Sequence, residues 1–320
     1  MKIALVLTPM TDHHLRLASQ VGVTDIVSRY PGTDPDALRR LRDRVAGFGL
    51  KLSIVEGYIP HDEIVHGKPG RDEQIENFQR LLRNMGRAGV PLCCYNWMPT
   101  DDWTRTAVDL PERGGALVTG YDRALDRVAP AEKDRAIDQR SLWGNLEYFL
   151  QRVVPVAEEA NVKLAMHPDD PPLTAFRGHG QIMSDVAGFE RLVEIVPSPA
   201  NGICFCQGTF AEMGVDIPAT IRRLSRHIHY VHFRDVVGTV PAFRESFHDN
   251  GKTDMFAAVC AYRGSGFNGP MRPDHVPTLD GEANDNAGYA MLGRLFAVGY
   301  MRGLIQASAS LGAFPPPRPS

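Results

Sequence analysis

Met271-Arg-Pro-Asp-His-Val276 places an arginine, an aspartate and a histidine around one proline. Pro273 fixes its own φ and withholds a backbone donor, so a strand ends here. Three further phrases share this build: Leu164-Ala-Met-His167-Pro-Asp-Asp170, Ile203-Cys-Phe-Cys206-Gln-Gly208 and Tyr230-Val-His232-Phe-Arg-Asp235. In each, an apolar run stops with a ligand-type side chain at or just past its end. His167, Cys206, His232 and His275 thus fall on four separate strand ends. A closed parallel barrel brings the C-terminal ends of its strands to one face and builds active sites there.

The rest of the chain supplies the barrel's period. Strand-like runs lie at 3–7, 24–28, 52–55, 92–95, 162–166, 202–205, 228–233 and 269–272. Helix-like segments alternate with them, ending near 22 and then covering 36–48, 71–88, 140–160, 186–195, 218–224, 254–263 and 287–309. Apolar residues at helical spacing (Leu38, Leu41, Val45, Phe48) followed by Gly49 illustrate the signal. Eight such alternations predict an α/β fold, a single (β/α)8 TIM barrel over 1–314, with a proline-rich disordered tail at 315–320. No Gly-x-Gly-x-x-Gly follows a strand, so an open dinucleotide-binding sheet lacks its fingerprint. Residues 98–138 break the rhythm with Trp103, a glycine pair and many charges. We read them as an insertion over the barrel mouth, and the 234–252 stretch as a long loop.

Composition narrows the function. The chain has 320 residues, of which 43% are hydrophobic and 23% charged, enough for a sizeable core. Its formal charge of −3 comes with no basic block, which speaks against a nucleic-acid partner. Met1-Lys-Ile-Ala-Leu-Val-Leu7 reads as a first strand rather than a signal peptide, and no apolar run approaches a membrane span of ~20 residues. Five cysteines without secreted-scaffold spacing predict a reduced, cytoplasmic protein. We expect a homo-oligomer, a dimer or higher.

One histidine at a strand end is ordinarily a hydrogen-bonding residue. Four ligand-type residues on strands five to eight are neighbours in a barrel and read jointly as a metal site. Three imidazoles and a thiolate suit Zn²⁺ or Fe²⁺ better than Mn²⁺. Cys93 and Cys94 lie inside a strand run and read as structural. Arg105, Arg177, Arg234 and Arg272 are candidates for bidentate contact with an anionic substrate. Asp169-Asp170, ahead of the stiff Pro171-Pro172 pair, would aim a carboxylate.

Together these phrases resemble mannonate dehydratase, a metal-dependent sugar-acid lyase of the xylose-isomerase-like barrels. The resemblance rests on His167-Pro-Asp-Asp-Pro-Pro172, Phe205-Cys-Gln-Gly-Thr209, Val231-His-Phe-Arg-Asp235 and Arg272-Pro-Asp-His275. It extends to Cys94-Tyr-Asn-Trp-Met-Pro99, Asp102-Trp-Thr-Arg-Thr106 and Gly288-Tyr289, and covers about 22–307. It implies metal ligation by His167, Cys206, His232 and His275, with Mn²⁺ favoured, and proton transfer by Asp274 and Tyr289. We assign substrate binding to Asn96, Trp103, Arg105, Asp169, Arg234, His248 and Arg272.

The chain departs from the family pattern in three places. Val276-Pro-Thr-Leu279 stands where the family continues Gly-Arg, and Phe176-Arg-Gly-His-Gly180 where it has Gly-Leu-Pro-Arg. Thr8-Pro-Met10 replaces the usual Trp/Tyr-Gly after the first strand. The metal site therefore reads as kept and the substrate pocket as altered. The expected reaction is dehydration of D-mannonate, or of a related aldonate, to a 2-keto-3-deoxy acid. A sugar isomerase or epimerase is the competing enzyme, although that chemistry commonly goes with carboxylate-rich ligands. A sugar-acid-binding paralogue without catalysis is the non-enzyme alternative, against which the intact Asp274-His275 pair speaks.

Overall fold

Eight short apolar strands close on themselves through parallel ladders. They are β1 (Lys2–Val6), β2 (Asp25–Ser28), β3 (Lys51–Glu56), β4 (Leu92–Tyr95), β5 (Lys163–Met166), β6 (Ile203–Cys206), β7 (Ile228–Phe233) and β8 (Pro270–Pro273). Each pairs with its sequence neighbours, and β8 returns to β1, so the predicted (β/α)8 barrel is the fold. The computed structural model describes residues 1–100, 103–132 and 136–310. Asp102 and the expected tail at 315–320 lie outside the described residues.

The longer helices outside the strands are α1 (Asp12–Gln20), α2 (Ala37–Ala46), α3 (Arg71–Ala88), α4 (Gln139–Glu159), α5 (Val186–Ile195), α6 (Ile217–Leu224), α7 (Met255–Gly264) and α8 (Met291–Ser310). Their starts are written into the sequence. Thr11, Asp138, Asp185, Asp216 and Asp254 each accept a hydrogen bond from a backbone N–H three residues on, satisfying donors that the first helical turn leaves open. Two cores result. A large one lies between strands and helices. A smaller one fills the barrel axis with Ala4, Val6, Val27, Ile54, Leu92, Cys94, Ala165, Cys204 and Tyr230.

The antiparallel sheet beside the barrel is not what the sequence pattern predicts. Ala107–Pro111 and Leu117–Asp122 form a hairpin, and the 234–252 stretch read as a loop contains two strands, Val236–Thr239 and Ala242–Glu245. The four join as one sheet, with Ala242–Glu245 pairing against Leu117–Asp122. The four strands are short and partly exposed, so none carries a continuous buried apolar run. Leu117 also exchanges backbone hydrogen bonds with Thr278, at 3.0 and 2.9 Å, tying this sheet to the segment after β8.

Candidate active site and metal centre

Side chains alternate along a strand, so the residue two past an axis-filling one points toward the same axis, higher up. Beyond Val27, Ile54, Cys94, Ala165, Cys204 and Tyr230 these positions hold Arg29, Glu56, Asn96, His167, Cys206 and His232. Register places them at one height: Cys206 lies opposite His232, and His232 opposite Arg272.

His167, Cys206, His232 and Asp274 converge, with one ligand atom from each inside 4.8 Å of all the others. Cys206 Sγ lies 3.5 Å from Asp274 Oδ2 and accepts from Thr209 Oγ1 at 3.1 Å. Burial disfavours a thiolate here, but the Arg234 guanidinium and His167 overcome it and bring Cys206 down to about 5. Burial likewise opposes charge on Asp274, yet His275, Arg272 and His232 hold its carboxyl well below the usual range. Each imidazole has one nitrogen occupied. His167 Nδ1 sits 2.7 Å from the Pro168 carbonyl, and His232 Nε2 lies 3.1 Å from Glu56 Oε2. His232 Nδ1 faces Asp274 Oδ2 at 3.8 Å, with Arg272 Nη2 at 3.4 Å. Orientation of a ligand imidazole through its far nitrogen is the usual outer support of a metal site.

His275 stands apart from this group, although the sequence reading placed it among the ligands and Asp274 among the proton movers. The reason is parity. Arg272 and Asp274 share a side of the chain, so the adjacent His275 leaves that side, while its ring still lines the pocket with Nε2 3.8 Å from Asp274 Oδ1. His275 Nδ1 lies 3.0 Å from Glu245 Oε1 and 2.6 Å from Arg234 Nη1. Its ring packs against Trp103 at 4.8 Å and Tyr289 at 5.5 Å. Tyr289 precedes α8; burial and the nearby Asp274 carboxylate raise its phenol above the ordinary value.

A pocket of about 230 Å³ opens onto these groups. Among the assigned substrate residues, Asn96, Trp103 and Arg272 line it. Arg105, Asp169, Arg234 and His248 do not. Arg105 is clamped by Asp170 and Glu245 at 2.6 Å each. Arg234, fully buried, bridges Asp170, Glu212 and Glu245 at 3.2, 2.7 and 2.9 Å. Asp169 accepts from the Met183 N–H and is pushed by burial up to about 7. His248 Nε2 is held at 2.8 Å by the Phe233 carbonyl. Arg177 pairs with Asp126 at 3.1 Å, away from the pocket lining. The departing segments 8–10, 176–180 and 276–279 do not line it either.

Arg234 therefore works as a buried strut. A Cβ on Gly208 would collide with its guanidinium, so the backbone leaves room for it. Arg234→Leu is expected to lower stability on the order of 3–5 kcal/mol in urea unfolding, because buried Glu212 loses its ion-pair partner and Asp170 and Glu245 are left with Arg105 alone of their two guanidinium partners. A change confined to KM would return Arg234 to substrate binding.

Sequence reasoning passed over Glu56, Arg29 and Tyr58, all in the pocket lining. Glu56 joins Arg272, at 2.8 and 3.0 Å, to Arg29, His232 and the Tyr230 hydroxyl. Those cations and donors hold its carboxyl well below the normal range despite its burial. Cys94, read as structural, is buried in the axial core and also lines the pocket. It forms a second close group with Cys204 and His232.

Comparison with known proteins gives a consistent result. The family profile described as D-mannonate dehydratase (UxuA) matches residues 10–133 and 124–312. A mannonate dehydratase of Oceanobacillus iheyensis is 36% identical over 298 residues, covering 85% of each chain. One of Thermotoga maritima is 35% identical over 309 residues, again covering 85% of each. The crystal structure of mannonate dehydratase from Streptococcus suis serotype 2 superposes with a TM-score of 0.91 at 31% identity, covering 99% of this chain and 97% of that one. An L-ribulose 3-epimerase, at TM-score 0.65 and 14% identity over the full length of both chains, shares the fold alone.

Proposed function

This chain belongs to the mannonate dehydratase family, and on that premise we propose that its barrel mouth removes water from D-mannonate, or from a closely related aldonate. The product is the 2-keto-3-deoxy acid, and the enzyme is a hydro-lyase. The observation that carries the reading is the convergence of two imidazoles, a thiolate and a carboxylate beside a histidine–tyrosine pair.

The donor set fits a divalent cation. Cys206 and Asp274 already hold charge, both imidazoles are aimed by their far nitrogens, and all four groups sit within one ion's reach. We propose His167, Cys206, His232 and Asp274 as the ligands, with Asp274 taking the place first given to His275. Mn²⁺ is the ion proposed on the family resemblance, and the same donors also accept Fe²⁺ or Zn²⁺. A bound cation supplies Lewis acidity, stabilising charge on the carboxylate and 2-hydroxyl as the C2 proton leaves.

The protein's own groups move the protons. We assign His275 as the group that takes the proton from C2 through Nε2, the ring nitrogen not engaged by Glu245 and Arg234. Tyr289, held in its protonated form, donates to the C3 hydroxyl. The C2–H and C3–O bonds break, a C2=C3 double bond forms and water leaves. The resulting enol then tautomerises to the 2-keto acid. Positioned acids and bases of this kind contribute about 10²–10⁴-fold each. Trp103 and Asn96 complete the walls around the sugar chain.

No helix among the described residues is long and apolar enough to cross a membrane; a cytoplasmic homo-oligomer belongs to the same proposal. Protein purified without added metal should contain about one divalent ion per chain by elemental analysis. Chelation should abolish activity, and Mn²⁺ should restore it. Incubating the Mn²⁺ form with hexonates and pentonates should yield 2-keto-3-deoxy acids. Interconversion of an aldose and a ketose without such an acid would overturn the reading.

A further inference from the structure

Arg29 follows β2 at the mouth of the barrel and lines the pocket. Three independent features fix its guanidinium. Nη1 donates to Glu56 Oε1 at 2.9 Å. The Tyr58 and Tyr289 rings lie 5.2 and 5.7 Å from its carbon centre. The backbone leaves room for it at Gly57, where φ is +74° and a Cβ would press within 3.2 Å of Nη1. Tyr58 itself holds φ at +57° while 67% exposed. For a bulky residue this is a costly conformation, and such outliers persist where the surroundings impose them, commonly at binding sites.

The Arg29 donors are not all used. Nε is buried without a hydrogen-bond partner, a state that costs free energy until an acceptor arrives. Arg272, the other pocket arginine, is already committed to Glu56 and Asp274. Arg105 and Arg234 are spent on buried carboxylates.

We infer that Arg29 is the substrate-carboxylate receptor of this barrel, reading the acid group of the aldonate through its unpaired edge while Tyr58 shields the contact. This rests on the aldonate reading above. Glu56 then has two tasks: it aims His232 toward the metal group and Arg29 toward the substrate. The charged fork discriminates an acid from a neutral sugar derivative of the same length.

A binding comparison tests this without turnover. The 3-deoxy analogue of D-mannonate has no hydroxyl to eliminate, and its carboxamide is a neutral isostere. Calorimetric titration of the metal-loaded enzyme with both gives an acid-over-amide preference. Arg29→Gln is expected to reduce that preference by about 10²-fold, and Arg29→Lys by less, since a point charge without the fork remains. With D-mannonate, Arg29→Gln should raise KM far more than it lowers kcat. An unchanged preference, or equal losses for acid and amide in both variants, would overturn the assignment. Wild type that shows the preference but never dehydrates mannonate would sink the dehydratase reading and leave Arg29 as an acid receptor.

Discussion

Asp274→Asn is expected to leave a folded barrel that has lost both metal and activity. Its Oδ2 lies 3.5 Å from Cys206 Sγ and 3.8 Å from His232 Nδ1, inside the group of converging donors. An amide keeps the shape but not the charge, and the neighbouring cations Arg272 and Arg234 then face one negative group fewer. Even outer-sphere changes at such centres cost ~10–100-fold in metal affinity, so removing a ligand should cost at least about 10²-fold. Elemental analysis beside kcat provides the check. Full metal content with lost activity would return Asp274 to the proton-transfer role.

His275→Gln and Tyr289→Phe should behave in the opposite way. Neither side chain belongs to the close group of ligand atoms, so metal content should match wild type. Each removes a proton-transferring group, and kcat should fall by about 10²–10⁴-fold. Tyr289→Phe keeps the ring that packs against Trp103 and His275, so folding should be unaffected. The contrast among the three variants matters more than any one value: one metal-poor, two metalled and inactive. Normal hexonate turnover by both His275→Gln and Tyr289→Phe would contradict the assignment.

Much of this site is legible in the chain because the barrel is periodic. Apolar runs that stop at His167, Cys206 and His232 mark the mouth, and closure of β1 against β8 follows from eight alternations. What a run's end does not reveal by itself is which of two adjacent polar residues faces the axis. For Asp274 and His275 that depends on parity from Arg272, which register with His232 fixes in space. The same parity rule, counted from Val27 and Ile54, leads to Arg29 and Glu56. Neither looks unusual in sequence, because a lone arginine or glutamate at a strand end is ordinarily solvated.

The residues that proved hardest to place are the buried arginines. Arg105 and Arg234 read as anion binders because their type suits carboxylates. They do bind carboxylates, but those of Asp170, Glu212 and Glu245. Such partners lie up to 140 positions apart in the chain, as Arg105 and Glu245 do, and local pattern carries no trace of them. The mixed antiparallel sheet is hidden for the same reason: Leu117–Asp122 and Ala242–Glu245 meet only through tertiary pairing.

Anomalous diffraction from crystals grown with Mn²⁺, recorded at the manganese edge, tests the central claim most directly. The account predicts one strong peak per chain, bonded at about 2.0–2.3 Å to His167, Cys206, His232 and Asp274, with His275 outside bonding distance. A peak that takes His275 in place of Asp274, or one that lies away from these side chains, would contradict it.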